Sequence, residues 1–140
     1  MQYIIYPPEK LNATITLPAS KSISNRALII HALAGGGPMP ENLSDCDDTE
    51  VIVKALNDMP EVIDIKAAGT AMRFMTAFLA VTPGVHTITG TERMLHRPIG
   101  VLVDALRYIG AEIEYAGEEG YPPLRITGKR LDGGPLVIAG

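Results

Sequence analysis

Cysteine is nearly missing from this sequence, since Cys46 is the only one among 140 residues. A lone thiol cannot form an internal disulfide, and no neighbouring ligands complete a zinc motif around it. The N-terminus also lacks the basic and long apolar regions of a secretory signal. These absences exclude a disulfide-stapled secreted scaffold, and we expect a protein of the reducing cytoplasm.

An excess of positive charge is also missing. Lys and Arg number 12 against 16 Asp and Glu, which gives a formal net charge of -4. This balance disfavours a surface for bulk capture of nucleic acid or anionic lipid. No apolar run approaches the roughly 18 residues of a membrane span. We therefore expect no nucleic-acid or membrane partner, and any anion site must be local.

The motifs of nucleotide and metal binding are absent as well. The glycine run 35–37 lacks the Lys-Ser/Thr of a P-loop, and no G-x-G-x-x-G occurs. His31, His86 and His96 are scattered, without carboxylate or cysteine companions at ligand spacing. We expect no metal site, and nucleotide binding through either glycine motif is disfavoured.

What the sequence does contain is the composition of a globular domain, with 46% hydrophobic and 20% charged residues. Tyr3–Tyr6 and Ala13–Leu17 have the β-prone pattern of strands. Helical spacing predicts a helix from Ser22 to Leu33. A second helix is predicted over Asp47–Leu56, where acidic residues fill the first turn and Ser44 or Asp45 supplies the cap.

From Val62 onward the pattern predicts strand, helix, strand, helix, strand, strand. This order indicates an α/β (α+β) fold in which a mixed sheet carries helices on at least one face. Pro98 is predicted at the first position of the second helix of this series. Leu136–Ile138 starts another strand-like run, and because the sequence stops in mid-pattern we expect a truncated domain. The predicted elements are strands 62–65, 85–89, 111–115 and 124–127 and helices 69–79 and 98–109.

The first candidate for chemistry is the segment Ser20–Arg26, where an extended stretch becomes a helix. A helix N-terminus offers unpaired N–H groups and a partial positive charge, which bind phosphate or carboxylate. Lys21 adds a full charge, and Ser22 and Arg26 share one helix face because they are four apart. The simpler interpretation, that Ser20 only caps the helix and the cations are solvated, stays open at this stage.

Two further junctions have the same character. Lys66–Arg73 places Gly69 where a strand becomes a helix, and Arg73 follows one turn later. Arg93 and Arg97 come shortly before the next helix. If the strands run parallel, the three junctions lie along one edge of the sheet, where α/β folds bind ligands. The sequence therefore predicts a distributed anion site.

These same segments resemble the EPSP synthases, members of the enolpyruvyl transferase family. The resemblance covers nearly the whole chain in order and is carried by L-P-A-S-K-S-I-S-N-R at 17–26, A-G-T-A-M-R at 68–73, R-P-I-G at 97–100 and G-Y-P-P-L at 120–124. It implies transfer of the enolpyruvyl group from phosphoenolpyruvate to the 5-hydroxyl of shikimate 3-phosphate, with release of phosphate, on the route to aromatic amino acids. No metal or organic cofactor is implied.

By the family pattern, Lys21, Ser22 and Arg26 are expected to bind shikimate 3-phosphate, and Lys21, Gly69 and Arg97 to bind phosphoenolpyruvate. Supporting contacts are expected from Thr70, Arg73 and Arg93. Two departures stand out: Ala67 replaces the usual Asn, so an amide is missing near the phosphoenolpyruvate site, and His96 replaces a frequent Glu.

The resemblance also divides the chain. Residues 1–17 correspond to leading strands that belong to the other domain of the family, and 18–140 to a partial N-terminal domain in which 62–127 is one complete βαβαββ unit. The C-terminal domain, with its acid/base carboxylate, is absent, so we expect an inactive fragment of an enzyme that is monomeric at full length. Residues before Pro18 are expected to be disordered, repacked locally or paired with a second copy of the chain.

Two alternatives stay open. A UDP-N-acetylglucosamine enolpyruvyl transferase shares the fold, but that family has Lys-Asn where this chain has Lys21-Ser22. A non-catalytic anion-binding or interaction module that has kept the fold is the alternative from a different class.

Overall fold

The computed structural model describes residues 2–7, 9–10 and 12–135, which contain five helices and four strands. The strand predicted at 136–138 lies outside these residues. Within the described ranges, no helix is long and apolar enough to cross a membrane. The elements are α1 (Lys21–Leu33), α2 (Asp47–Asp58), β1 (Val62–Asp64), α3 (Gly69–Val81), β2 (Gly84–Thr89), α4 (Glu92–Leu95), α5 (Gly100–Tyr108), β3 (Glu112–Tyr115) and β4 (Leu124–Gly128).

The four strands form one sheet in the order β1-β2-β4-β3. β1 runs parallel to β2, whereas β4 is antiparallel to both β2 and β3. The register aligns Ile63 with Ile88, Ile88 with Leu124, and Ile113 with Ile126, and all five side chains are buried. One face of the sheet is thus an apolar surface, and the prediction of a mixed sheet in an α/β fold is confirmed.

Helix α3 covers this apolar face and forms the centre of the molecule. It contacts β2 and β4 on the sheet, and α1 and α2 also pack against it. Ala71, Met75 and Leu79 are fully buried because they recur on one face of the helix. Gly128 of β4 lies so close to the end of α3 that a Cβ there would collide with the carbonyl oxygen of Thr82.

Buried polar groups join α1 to α2. The hydroxyl of Thr49 donates to Asn25 Oδ1 over 2.7 Å, and the amide of Ser44 donates to Ser24 Oγ over 2.9 Å. Asn25 and Thr49 are almost completely buried, so these bonds are worth more than exposed ones. They fix the N-terminal half of α1, which carries the first predicted anion site.

The strands predicted at Tyr3–Tyr6 and Ala13–Leu17 are not formed in this structure, and their assignment to another domain stays a prediction. None of the described residues between 2 and 19 lies in a strand or a helix. Side chains such as Ile5 (85% exposed) and Leu17 (80% exposed) face solvent instead of a core. An alternating pattern makes a strand only where another backbone is available to pair with it.

Some helix boundaries also differ from prediction. Cys46 is the N-cap of α2, in place of Ser44 or Asp45, and its side chain makes no capping hydrogen bond. Pro98 lies outside α5, which begins at Gly100 because its N-cap Ile99 has a non-helical backbone (φ -132°, ψ 1°). The amide of Ile99 donates to Gly120 O over 2.8 Å. The short helix α4 was not predicted.

Candidate functional site

An open cleft of about 430 Å³ lies where α1, α3 and the segment between α4 and α5 meet. Four of its lining side chains are cationic, and Asp48 is the single carboxylate among the described lining residues. The cleft is therefore locally positive in a chain of net charge -4. Its lining residues are Lys21, Arg26, Asp48, Ala67, Gly69, Thr70, Arg73, Phe74 and Arg97.

A larger cleft of about 550 Å³ lies beside α5 and shares Arg73 with the first. Its other lining side chains carry no charge, and most are apolar. No group of three or more His, Cys, Asp or Glu side chains that could hold a metal ion occurs in the described part of the chain. Charge thus singles out the smaller cleft as the candidate anion site.

Lys21 stands at the N-terminus of α1 and forms an ion pair with Asp48, with 3.0 Å between Nζ and Oδ1. The hydrogen bond to Asp48 raises the pKa of Lys21, so the ammonium stays charged at neutral pH. Ser20 caps the helix, although its Oγ accepts from the amide of Ile23 only at 3.5 Å. The cap predicted for Ser20 and a cleft cation at Lys21 therefore coexist.

Arg26 reaches the cleft from one turn further along α1. Its Nη1 donates to the carbonyl oxygen of Ser22 over 2.9 Å, and its guanidinium lies 5.6 Å from the ring centroid of Phe74. The side chain of Ser22 is exposed and is not among the lining residues. The structure thus brings Lys21 and Arg26 together, while Ser22 contributes its carbonyl to holding Arg26.

The N-terminus of α3 opens into the same cleft. Ala68 is its N-cap and has no side chain with which to cap, so the first-turn N–H groups of α3 have no side-chain acceptor. The guanidinium of Arg97 occupies the space that a Cβ at Gly69 would need. Because Gly69 has no side chain, the Arg97 guanidinium can lie directly against the backbone at the start of α3. The second and third junctions therefore meet at Gly69.

Arg73 ties these two junctions together. Its Nη1 donates to Gly69 O over 3.2 Å and its Nη2 to Pro98 O over 3.1 Å. These contacts link the first turn of α3 to the segment that carries Arg97. Thr70 lies beside them in the lining of the cleft, whereas Arg93 is exposed on α4 and does not line it.

Sequence reasoning missed Asp48 and Phe74 as cleft residues. Asp48 was interpreted as an acid that complements the helix dipole, and Phe74 as one of the apolar residues of α3. Phe74 follows Thr70 by four positions, and this helical spacing was the available signal. Ala67 does line the cleft, so the side-chain amide expected from the family pattern is absent there.

Cys46 lies at the N-terminus of α2, near the Lys21–Asp48 pair. Burial opposes ionisation of its thiol, but the hydrogen bond with Ser44, the backbone N–H of Thr49 and the charge of Lys21 lower its pKa below the ordinary value. The Sγ atom is 3.3 Å from Thr49 Oγ1. The charge of Lys21 is the smallest of these contributions to the pKa of Cys46.

Comparison with solved structures supports the fold. The chain superposes on an EPSP synthase from Acinetobacter baumannii with a TM-score of 0.76 and a sequence identity of 24%. The superposition covers 89% of this chain and 34% of that one. A second structure of EPSP synthase from the same organism gives a TM-score of 0.69 over 81% of this chain. The arrangement of elements is therefore shared with these enzymes.

Curated relatives that align with nearly the whole of this chain share one name. A 3-phosphoshikimate 1-carboxyvinyltransferase of Bacteroides fragilis is 64% identical over 140 residues, which is all of this chain and 34% of the relative. One from Shewanella halifaxensis is 40% identical over 99% of this chain and 39% of its own length. The chain thus spans about a third of the length of these relatives.

The family model described as EPSP synthase (3-phosphoshikimate 1-carboxyvinyltransferase) matches residues 5–63 and 58–139. The two matched stretches together include every residue that lines the positive cleft. The motifs at 17–26, 68–73 and 97–100, which carry the resemblance, also lie within them. On this match and on the named relatives, the chain belongs to the EPSP synthase family.

Proposed function

We propose that this chain supplies the anion-binding wall of a site that transfers the enolpyruvyl group from phosphoenolpyruvate to the 5-hydroxyl of shikimate 3-phosphate. The observation that carries the proposal is the convergence of Lys21, Arg26 and Arg97 beside the N-terminus of α3. Both substrates carry a phosphate and a carboxylate, and such groups bind to arginine forks and helix N-termini. The name shared by the relatives supports the same activity.

In this proposal Lys21, Ser22 and Arg26 bind shikimate 3-phosphate, and Lys21, Gly69 and Arg97 bind phosphoenolpyruvate. The contacts of Arg73 and the position of Thr70 suit them to support the phosphoenolpyruvate side. Ser22 and Arg93 do not line the cleft, and their roles in this proposal are those that the family resemblance implies. The substrates are the only partners proposed, and the reaction is assigned to the cytoplasm.

The bond changes of the proposed reaction determine which charges the residues of the cleft must stabilise. A bond forms between the 5-hydroxyl oxygen and C2 of phosphoenolpyruvate, the bond from C2 to the phosphate oxygen breaks, and phosphate leaves with the electron pair. Cations fixed beside the phosphate stabilise the charge that develops on it. In this proposal Lys21 and Arg97, which both line the cleft, have that role.

Proton transfer requires a further group. The hydroxyl proton must go to a base, and Asp48, the carboxylate of the described cleft, already holds Lys21 at 3.0 Å. The cleft is also open to water. We therefore propose that residues 18–140 act as part of an N-terminal domain, that 1–17 belong with another domain, and that this chain alone binds substrates without turning them over.

Titration calorimetry with charge-removing variants tests the binding. Arg26→Met is expected to weaken binding of shikimate 3-phosphate about 10- to 100-fold, because a charge-assisted hydrogen bond contributes roughly 1.5–3 kcal/mol. Arg97→Met is expected to weaken phosphoenolpyruvate by a similar factor. Arg125→Met removes an exposed arginine of β4 outside the cleft and serves as the matched control. Equal losses in all three variants, or no binding of either ligand, would contradict the proposal.

A phosphate-release assay with both substrates tests the proposal that this chain alone does not turn its substrates over. We expect no release above background from the wild-type chain, since the described cleft has no uncommitted acid or base. Turnover at an ordinary enzymatic rate, on the order of 1 per second or more, would show that this chain holds a complete site.

A further inference from the structure

Phe74 holds the guanidinium of Arg26 from the opposite helix. The Arg26 Cζ atom lies 5.6 Å from the centroid of the Phe74 ring, within the range of a cation–π contact. Phe74 is half-buried on α3 and also lines the cleft, whereas Arg26 is an exposed residue of α1. The contact therefore crosses between the two helices that open into the site.

Two contacts together restrain Arg26. Its Nη1 donates to Ser22 O over 2.9 Å, and its Cζ atom lies over the Phe74 ring at 5.6 Å from the centroid. A free arginine side chain has about 2 kcal/mol of rotamer entropy to lose when it binds a ligand. A side chain that is already held in place loses less of it, and the remaining N–H donors stay available to an anion.

We propose that Phe74 is a positioning residue for shikimate 3-phosphate, which acts by presenting the Arg26 guanidinium to the cleft. The inference rests on the proposed function, because it assumes that Arg26 binds this substrate. It assigns the ring no contact with the ligand. Removal of the ring should therefore weaken shikimate 3-phosphate and leave phosphoenolpyruvate, which is assigned to Gly69 and Arg97, unchanged.

The chain offers a matched control for this test. Phe78 lies one turn further along α3 and is 7% exposed, but it does not line the cleft. Phe78→Leu removes a ring from the same helix and costs stability through packing alone. Phe74→Leu and Phe74→Tyr separate an aromatic requirement at position 74 from simple volume.

The first measurement uses the ligand-free chain. The ring current of Phe74 should displace the Nε–Hε signal of Arg26 from its random-coil position in a ¹⁵N NMR spectrum. Phe74→Leu should abolish that displacement, while Phe74→Tyr and Phe78→Leu keep it. An Arg26 signal that is the same in wild type and Phe74→Leu overturns the inference, since no stacking would then exist to position the guanidinium.

The second measurement is the affinity for shikimate 3-phosphate by calorimetry. Phe74→Leu should weaken binding about two- to fivefold, the range of an exposed cation–π contact, and Phe74→Tyr should restore it. In an Arg26→Met background the Phe74→Leu change should have no further effect, which a purely structural role would not explain. A full additional loss in that background overturns the inference.

The outcomes for the inference and for the proposed function are distinct. If the wild-type chain binds shikimate 3-phosphate and Phe74→Leu binds it equally well, the positioning role is wrong and the proposed function stands. If the wild-type chain does not bind this ligand at all, the proposed function fails. The Arg26 signal of the free chain then decides by itself whether Phe74 holds the guanidinium.

Discussion

Two regions of this molecule have β-prone sequences and very different structures. The leading segment, defined as residues 2–19, contains Ile5 at 85% exposure, whereas Ile63 of β1 is 2% exposed. The body, defined as residues 62–128, pairs its strands with one another and covers them with α3. The difference shows that alternation of apolar residues creates a strand only where a second backbone and a core surface are within reach.

Amide hydrogen exchange should show the largest contrast between the two regions. Strand β4 is paired on both edges, so its amides exchange only through substantial opening of the sheet. We expect amides of β4 to be protected at least about 1,000-fold more than those of the leading segment, the factor that corresponds to a few kcal/mol of opening. Comparable protection in both would mean that the leading segment is paired in solution.

Truncation of one side chain in each region should show the next largest difference, in the free energy of unfolding. Leu79 is completely buried in α3, and Leu79→Ala should lower the free energy of unfolding by about 2–5 kcal/mol. Ile5→Ala should change it by less than about 0.5 kcal/mol because the side chain is exposed. Urea denaturation followed by circular dichroism measures both, and similar losses would break the comparison.

Substitution of two glycines should affect stability differently in the body and in the cleft. Gly128→Ala forces a methyl group against the carbonyl oxygens of Leu79 and Thr82, so unfolding free energy should fall by about 1–3 kcal/mol. Gly69→Ala meets only the mobile end of the Arg97 side chain, and we expect a loss below about 1 kcal/mol.

The cost of Gly69→Ala should instead appear in binding. Displacement of Arg97 removes a charge-assisted contact, which lowers affinity for phosphoenolpyruvate about tenfold. Urea denaturation and calorimetry on Gly128→Ala and Gly69→Ala check that the first variant loses mainly stability and the second mainly affinity. A Gly69→Ala chain that binds phosphoenolpyruvate as wild type does would contradict the placement of Arg97 in the site.

The smallest expected effect concerns the thiol of Cys46. Because hydrogen bonds and Lys21 lower its pKa despite burial, the rate of alkylation by iodoacetamide should reach half its maximum below the ordinary pH for a cysteine. Lys21→Met removes a positive charge that favours the thiolate, so the midpoint should move to higher pH. An unchanged midpoint would mean that the potential around Lys21 does not reach α2.

The body was predictable because its signals are local. Helical spacing located α3 and the alternating runs located β2 and β4, since each element is specified by residues within it. The leading segment has a local strand pattern but forms no strand in this structure, because strand pairing depends on a partner that is distant in sequence. The start of α5 was missed because Pro98 is favoured at the first position of a helix, whereas Ile99 has a non-helical backbone and serves as the N-cap.

The cleft was predictable only in part. Lys21, Gly69 and Arg97 were predicted because helix starts and cations can be located in a sequence. Phe74 shares a helix face with Thr70, but its contact with Arg26, like the ion pair of Asp48 with Lys21, depends on how α1 packs against α2 and α3. Sequence patterns therefore predicted the cationic side chains of the site but not Asp48 and Phe74, which contact two of them.

The central claim is that three separate segments form one anion site, and a two-dimensional NMR titration with shikimate 3-phosphate tests it most directly. We predict that amide shifts concentrate at Lys21, Ser22 and Arg26, and that subsequent addition of phosphoenolpyruvate shifts Gly69 and Arg97. Amides of the leading segment should not move. Shifts that avoid Lys21 to Arg26, or that are spread over the surface, would contradict the account.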